Sequence, residues 1–168
     1  KKNVRGVLQA LAHLRRQNRL NFQLLMLDID REFLEQLATG IGDTAILQNI
    51  TCCGYVPNYD LPAIYTMAQL FLYPSLRESF GIPILEAMAC GTPVITSTTS
   101  SMPEVAGDAA LKVDPVKPHE IASAICTLQD DTNLRHILLE KGLQRAKNFS
   151  WQNNATKTLS LYSQIINR

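Results

Sequence analysis

No apolar run in this chain approaches the ~18 residues that a membrane-crossing helix needs, so no helical span is expected in it. Charge of either sign is not in excess. Sixteen Lys and Arg against fifteen Asp and Glu leave a formal net charge of +1, which provides no field for nucleic acid or anionic lipid. Cysteine is scarce. Cys52, Cys53, Cys90 and Cys126 stand at neither metal-ligand nor redox-motif spacing, so all four read as reduced, mostly buried residues of a cytoplasmic protein. Internal repeats, low-complexity tracts and linkers are missing too. No Gly-x-Gly-x-x-Gly follows a strand-like run, which removes the dinucleotide fingerprint. What remains is ordinary. With 46% apolar and 18% charged residues over 168 positions, residues 1–168 suit one globular domain with a real core.

Hydrophobic periodicity alternates between helix and strand. Val4, Val7, Leu8, Leu11 and Leu14 form a helical stripe over 4–17. Phe22–Leu27 is a continuous apolar run expected to be a strand buried on both faces. A helix is predicted from Arg31 to Ala38, closed by Gly40 and Gly42, with Asp28 or Asp30 as its cap. A second strand follows at 50–54, then a helix from Asp60 to Met67. Phe71–Tyr73, Val94–Ser97 and Ala110–Val113 are the remaining strands, and Ile82–Cys90 is the helix after the first of them. Three helical stretches close the chain, at 119–128, 132–148 and 151–166, with Trp151 expected to anchor the last on the core. Such alternation predicts an α/β fold, a Rossmann-like doubly wound parallel sheet with right-handed crossovers. Lys1-Lys2-Asn3 reads as the loop after a first strand that is itself missing. In that strand order the first strand is central, so its absence should expose two strand edges. The chain is therefore expected to be a fragment, or to have the gap filled by something else.

The densest chemistry lies between Glu78 and Glu86, which read Glu-Ser-Phe-Gly-Ile-Pro-Ile-Leu-Glu. A strand leads in and an apolar helix leads out, followed by Gly91-Thr92-Pro93. The helix N-terminus, with unpaired N–H groups and a positive dipole end, thus falls at the C-terminal end of a strand, where phosphate-bearing ligands sit in α/β proteins. Pro83 suits the first helical turn because its missing N–H has no intrahelical partner there. Gly81 allows the backbone to approach a ligand closely. Glu86, one turn in, can face the same place and accept hydrogen bonds from a ribose diol. These features point to a sugar phosphate or nucleotide.

Two glutamates separated by seven residues, with Phe-Gly after the first and Gly-Thr-Pro-Val-Ile after the helix, resemble the donor site of retaining glycosyltransferases of family 4. The resemblance extends over nearly the whole chain. It takes in Lys2-Asn3 before an amphipathic helix, Gly54-Tyr55-Val56, Leu61 to Tyr65, Ser101-Met102-Pro103-Glu104-Val105, Gly107-Asp108-Ala109-Ala110 and Phe149-Ser150-Trp151. It implies the C-terminal, donor-binding half of a two-domain GT-B enzyme, with the acceptor domain outside this chain. By that resemblance Glu78 faces the transferred sugar and supports positive charge at its anomeric carbon. Glu86 binds the ribose and Lys2 the diphosphate, with Lys1 where some members carry Arg. Ser79, Phe80, Gly81 and Ile82 contribute chiefly backbone N–H groups, and Phe80 itself is read as packing. Gly54, Tyr55 and Val56 form the loop beside the base.

The implied donor is a GDP- or UDP-sugar. The Gly-Thr-Pro-Val-Ile-Thr-Ser stretch looks most like mannosyltransferase-type members and so favours GDP-mannose. No cofactor and no metal are implied, and the chain alone is expected to bind donor without transferring sugar. The acceptor (glycan, lipid or small molecule) and any peripheral membrane contact would belong to the other half. Two departures stand out. The family's further arginine has no counterpart, and Asp28-Ile29-Asp30 replaces a usual glycine. A non-catalytic nucleotide-sugar-binding domain and another GT-B-like enzyme, such as a sugar-nucleotide epimerase, remain alternatives. Glu104 reads as structural, and His13, His119 and His136 lie on separate helices without partners.

Overall fold

The computed structural model describes residues 2–166. Lys1 lies outside them. The chain runs α1 (Val4–Arg16), β1 (Leu24–Leu27), α2 (Arg31–Ile41), a 3₁₀ turn (Thr44–Asn49) and β2 (Ile50–Cys53). Next come α3 (Leu61–Met67), β3 (Phe71–Tyr73), α4 (Ile82–Ala89), β4 (Val94–Ser97), α5 (Met102–Ala106) and β5 (Ala110–Val113), then α6 (Pro118–Asp130), α7 (Thr132–Lys147) and α8 (Trp151–Ile166). The 3₁₀ turn and α5 are additions to the periodicity reading. Both are too short to show a helical stripe.

All strand pairs are parallel, and they form two ladders, β1-β2 and β3-β4-β5. This is the parallel α/β architecture that the alternation of strand and helix predicts. Among the described residues β1 pairs only with β2, and β3 pairs on one side only, with β4. The order β2-β1, then β3-β4-β5, is the Rossmann order with its central strand left out. The expected pair of unpaired edges is therefore present. One of the two apolar clusters nevertheless serves both ladders. Leu24 and Met26 of β1 and Leu72 of β3 pack against the cluster that holds Leu8, Leu11, Ile95, Val113, Ile121 and Ile125.

Burial differs along the sheet for this reason. Every residue of β4, which has strands on both sides, is buried. Phe22–Leu27 is not buried on both faces as expected. Strand structure begins at Leu24, and Leu25 is 41% exposed because β1 has a strand on one side only. The cysteines are free and each is only partly buried, fewer buried than expected, since Cys52 and Cys53 lie on β2, which pairs with β1 alone.

Helix ends follow local chemistry. Asp30, not Asp28, caps α2, its Oδ1 accepting from Phe33 N at 2.9 Å. Gly42, at φ 81°, closes that helix three residues later than predicted, and Gly40 stays inside it. The last helix corrects the expectation for Trp151. Trp151 is 83% exposed and no residue of α8 is buried, so it anchors nothing. The anchoring aromatic is Phe149, two positions earlier. It meets Phe80 edge-to-face at 6.0 Å and carries the Arg145 guanidinium over its ring.

Candidate donor site

Parallel strands bring their C-terminal ends to one side, and the singled-out residues follow those ends. Asn3 fixes the start of α1 there. Its Nδ2 donates to Pro74 O at 3.0 Å and Pro115 O at 2.7 Å, joining the loops after β3 and β5. Gly6 makes this possible, since a Cβ there would stand 2.6 Å from the Asn3 side chain. With Asn3 held, Lys2 reaches the tip of β3. Its Nζ donates to the Tyr73 hydroxyl at 2.6 Å and pairs with Glu78 Oε1 at 3.1 Å.

Glu78 is fixed from several directions. Ser75, buried at the end of β3, donates its hydroxyl to Glu78 Oε1 at 3.0 Å. Partial burial acts to raise the Glu78 pKa, but Tyr73, Lys2 and Ser75 outweigh it and hold the carboxyl below its ordinary value of 4.5. For Lys2, partial burial acts to lower the pKa, and the contacts with Tyr73 and Glu78 overcome it, so the amine lies above 10.5. Both groups are charged at neutral pH. Because Lys2 is largely exposed, the pair is worth no more than about 1 kcal/mol of stability. Its consequence is placement of charge.

Gly81 lies at φ 100° at the N-cap of α4, a conformation in which a side chain would be strained, and Pro83 is in the first turn as expected. Ser79, Phe80 and Ile82 are exposed around this turn, with Phe80 held by Phe149. Glu86 is exposed on α4 and accepts from the Tyr65 hydroxyl at 3.2 Å. Burial, then the Glu86 charge, push the Tyr65 phenol well above 10, so it remains a donor at all working pH. Tyr65 meets Phe71 edge-to-face, and Phe71 stacks on Tyr73, an aromatic row running between the partners of the two glutamates.

Gly54, Tyr55 and Val56 follow β2, and Gly54 O accepts from Asp28 N at 3.3 Å. Tyr55 is 78% exposed and open space surrounds Gly54. This loop lies beside the end of β1. Between the halves, a shallow hollow of about 420 Å³ is lined by Lys2, Asn3, Arg5, Phe33 and Leu76. Phe33 lies in the first turn of α2 and Leu76 in the loop after β3, so the hollow is walled by that helix, that loop and the start of α1. Asp28 and Asp30 stand in an Asp-x-Asp spacing, with Asp30 engaged as a helix cap. Among the described residues no three or more His, Cys, Asp or Glu gather as a metal-binding group. His13, His119 and His136 fall on α1, α6 and α7. At Glu104 the contact is through the backbone carbonyl, which accepts from Arg145.

Sequence reading missed Ser75, Tyr73 and Tyr65, and it missed the segment that runs from the end of β4 into the following loop. Thr96–Ser101 is six hydroxyl residues in a row, a signal that was legible. Five of them donate to carbonyls of the stretch between Tyr73 and Phe80. Thr96 takes Tyr73 O at 3.1 Å, Ser97 takes Ser75 O at 2.6 Å and Thr99 takes Leu76 O at 3.2 Å. Ser100 takes Glu78 O at 2.6 Å, and Ser101 takes Phe80 O at 2.9 Å.

Residues 1–145 match the family described as Glycosyl transferases group 1, and the chain belongs to it. It is 40% identical to O-antigen chain mannosyltransferase B of Escherichia coli over 98% of its own length and 43% of that protein. It is 32% identical to MMP alpha-(1->4)-mannosyltransferase of Mycolicibacterium hassiacum over 99% of itself and 41% of that protein. Among solved structures, sucrose-phosphate synthase from Thermosynechococcus elongatus superposes with a TM-score of 0.79 at 26% identity, covering 97% of this chain and 43% of that one. The chain thus spans less than half the length of each. Mannosyltransferases are thus among its relatives. No helix among the described residues is long and apolar enough to cross a membrane.

Proposed function

We propose that this chain is the donor-binding domain of a retaining glycosyltransferase of the family 4 type. It moves a hexose, by preference mannose, from a nucleoside-diphosphate sugar to an acceptor hydroxyl. The observation that carries this reading is the Lys2–Glu78 pair, 3.1 Å apart at the C-terminal end of β3, beside the N-terminus of α4. A cation there suits a diphosphate. A carboxylate held ionised beside it suits positive charge developing at an anomeric carbon. Lys2 offsets the repulsion Glu78 would otherwise exert on the phosphates.

In this reading Lys2 and the backbone N–H groups of Ser79, Phe80, Gly81 and Ile82 bind the diphosphate and sugar hydroxyls, without a metal. Glu86, oriented by Tyr65, accepts from the ribose diol, and Gly54, Tyr55 and Val56 lie beside the base. The mannosyltransferase relatives favour GDP-mannose over UDP-sugars. The acceptor belongs to a part of the enzyme outside this chain, so the chain alone binds donor and does not transfer sugar.

The test is calorimetric titration of the chain with GDP, UDP and ADP, repeated on Glu86→Ala. Binding of one nucleotide, weakened in the variant by about 1.5–3 kcal/mol, is expected from the loss of a charged hydrogen bond. Equal affinity in the variant would remove Glu86 from the site. Failure of all three nucleotides to bind, with a longer form of the enzyme also silent, would overturn the reading.

A further inference from the structure

Ser100 is exposed, yet its backbone lies in the left-handed region at φ 59°, which Ser adopts at a cost that Gly would not incur. Nothing in burial requires a side chain at this position. What the side chain does is bond Glu78 twice. Its hydroxyl donates to Glu78 O at 2.6 Å, and Glu78 N donates back to the same oxygen at 3.3 Å. A hydroxyl has one donor and can accept at once, so a single side chain serves both backbone groups of Glu78. Ser101 has one hydroxyl hydrogen, shared between Phe80 O at 2.9 Å and Glu78 O at 3.1 Å, so Ser100 is the dedicated donor to Glu78 O. Strain retained at one residue, and used to hold another that carries reactive charge, is the pattern expected where position matters more than stability.

We infer that Ser100 is a positioning residue for Glu78, accepting a left-handed backbone so that its hydroxyl can fix the loop carrying that carboxylate. The inference rests on the donor-domain reading for its catalytic meaning, and on geometry alone for the clamp. Ser75, Lys2 and Tyr73 set the Glu78 side chain, and Ser100 sets its backbone. Glu78 is thereby held at both ends before any ligand arrives. Thr98, within the same run, faces the other way and donates to Val113 O, so the clamp follows geometry and not merely a hydroxyl-rich composition.

Two variants separate positioning from folding. Ser100→Gly removes both bonds and also the left-handed cost, so Tm should stay within about 3 °C of wild type. Ser100→Ala removes the bonds and keeps the cost, so its Tm should fall below that of Ser100→Gly. In the complete enzyme with GDP-mannose, Ser100→Gly should lower kcat about tenfold or more and leave the GDP dissociation constant within about twofold. In the isolated chain, hydrogen exchange at the Glu78 amide, read by NMR, should speed up at least tenfold in both variants.

Wild-type exchange at Glu78 in Ser100→Gly would overturn the clamp. So would a kcat loss that merely follows a fall in folded fraction. If the unsubstituted chain binds no nucleoside diphosphate, the donor-domain reading fails instead, and the exchange rates still decide whether Ser100 holds Glu78.

Discussion

The two ladders of this domain differ in how completely they are organised before a ligand arrives. In β3-β4-β5 the central strand is wholly buried, and the loop after β3 is tied along its length by hydroxyls from the end of β4 and the loop that follows it. In β1-β2 the strands are half exposed, and the following loop presents Tyr55 and Tyr59, 78% and 81% exposed, to open space. In the proposed function the first ladder carries the residues at the reacting end of the donor, and the second those beside the base. Reacting groups must be aimed in advance, because misplacement by about 1 Å can cost a hundredfold in rate. A base-side loop that recognises largely through its backbone can be ordered by the nucleotide itself.

The sharpest way to break this comparison is through the cores. Ile95→Ala, in fully buried β4, should destabilise the chain by about 2–5 kcal/mol, whereas Leu25→Ala in β1 should cost under about 1 kcal/mol. Urea unfolding of both variants would measure it, and similar costs would mean that the halves are equally organised. Next comes chemistry. Glu78→Gln in the complete enzyme should lower turnover about 100-fold while nucleotide affinity changes by less than about threefold, as expected for charge stabilised only in the transition state. An unchanged rate would take Glu78 out of the reaction.

A smaller effect should follow pH. The Glu78 pKa is depressed in the folded chain, so its contribution to stability is complete above about pH 4.5 and is lost as pH falls through the lower folded value. The stability difference between wild type and Glu78→Gln, measured by urea unfolding, should shrink between pH 6 and about pH 3. A constant difference would mean that Glu78 is not held as charged. The smallest effect is expected on the base side. Tyr55→Ala should change stability by less than about 0.5 kcal/mol and nucleotide affinity by less than about threefold. A large loss of affinity in that variant would show recognition by a side chain and place more order in the second half than its exposure suggests.

Much of this is legible in the sequence. Strand and helix alternation follows from periodicity, and β4, β5 and α8 fall at their expected bounds. The Phe-Gly-Ile-Pro turn is visible because Gly at positive φ and Pro in a first helical turn are local requirements. Trp151 was misread since a large apolar residue signals burial only on average, and what covers it depends on neighbours distant in the chain. Ser75 and Ser100 escaped notice because a serine at a loop carries no mark of its partner until the fold supplies one.

The sequence by itself determined the α/β class, the order of the elements and the residue types at the mouth of β3, since these depend on local backbone preference and on the period of apolar positions. Only the tertiary structure decided that Lys2 meets Glu78, that Tyr65 holds Glu86, and that the run of hydroxyls from Thr96 to Ser101 binds the stretch from Tyr73 to Phe80. Those contacts join residues from 21 to 76 positions apart. No local pattern specifies them. They exist because parallel strands, paired in one register, bring their ends to the same place.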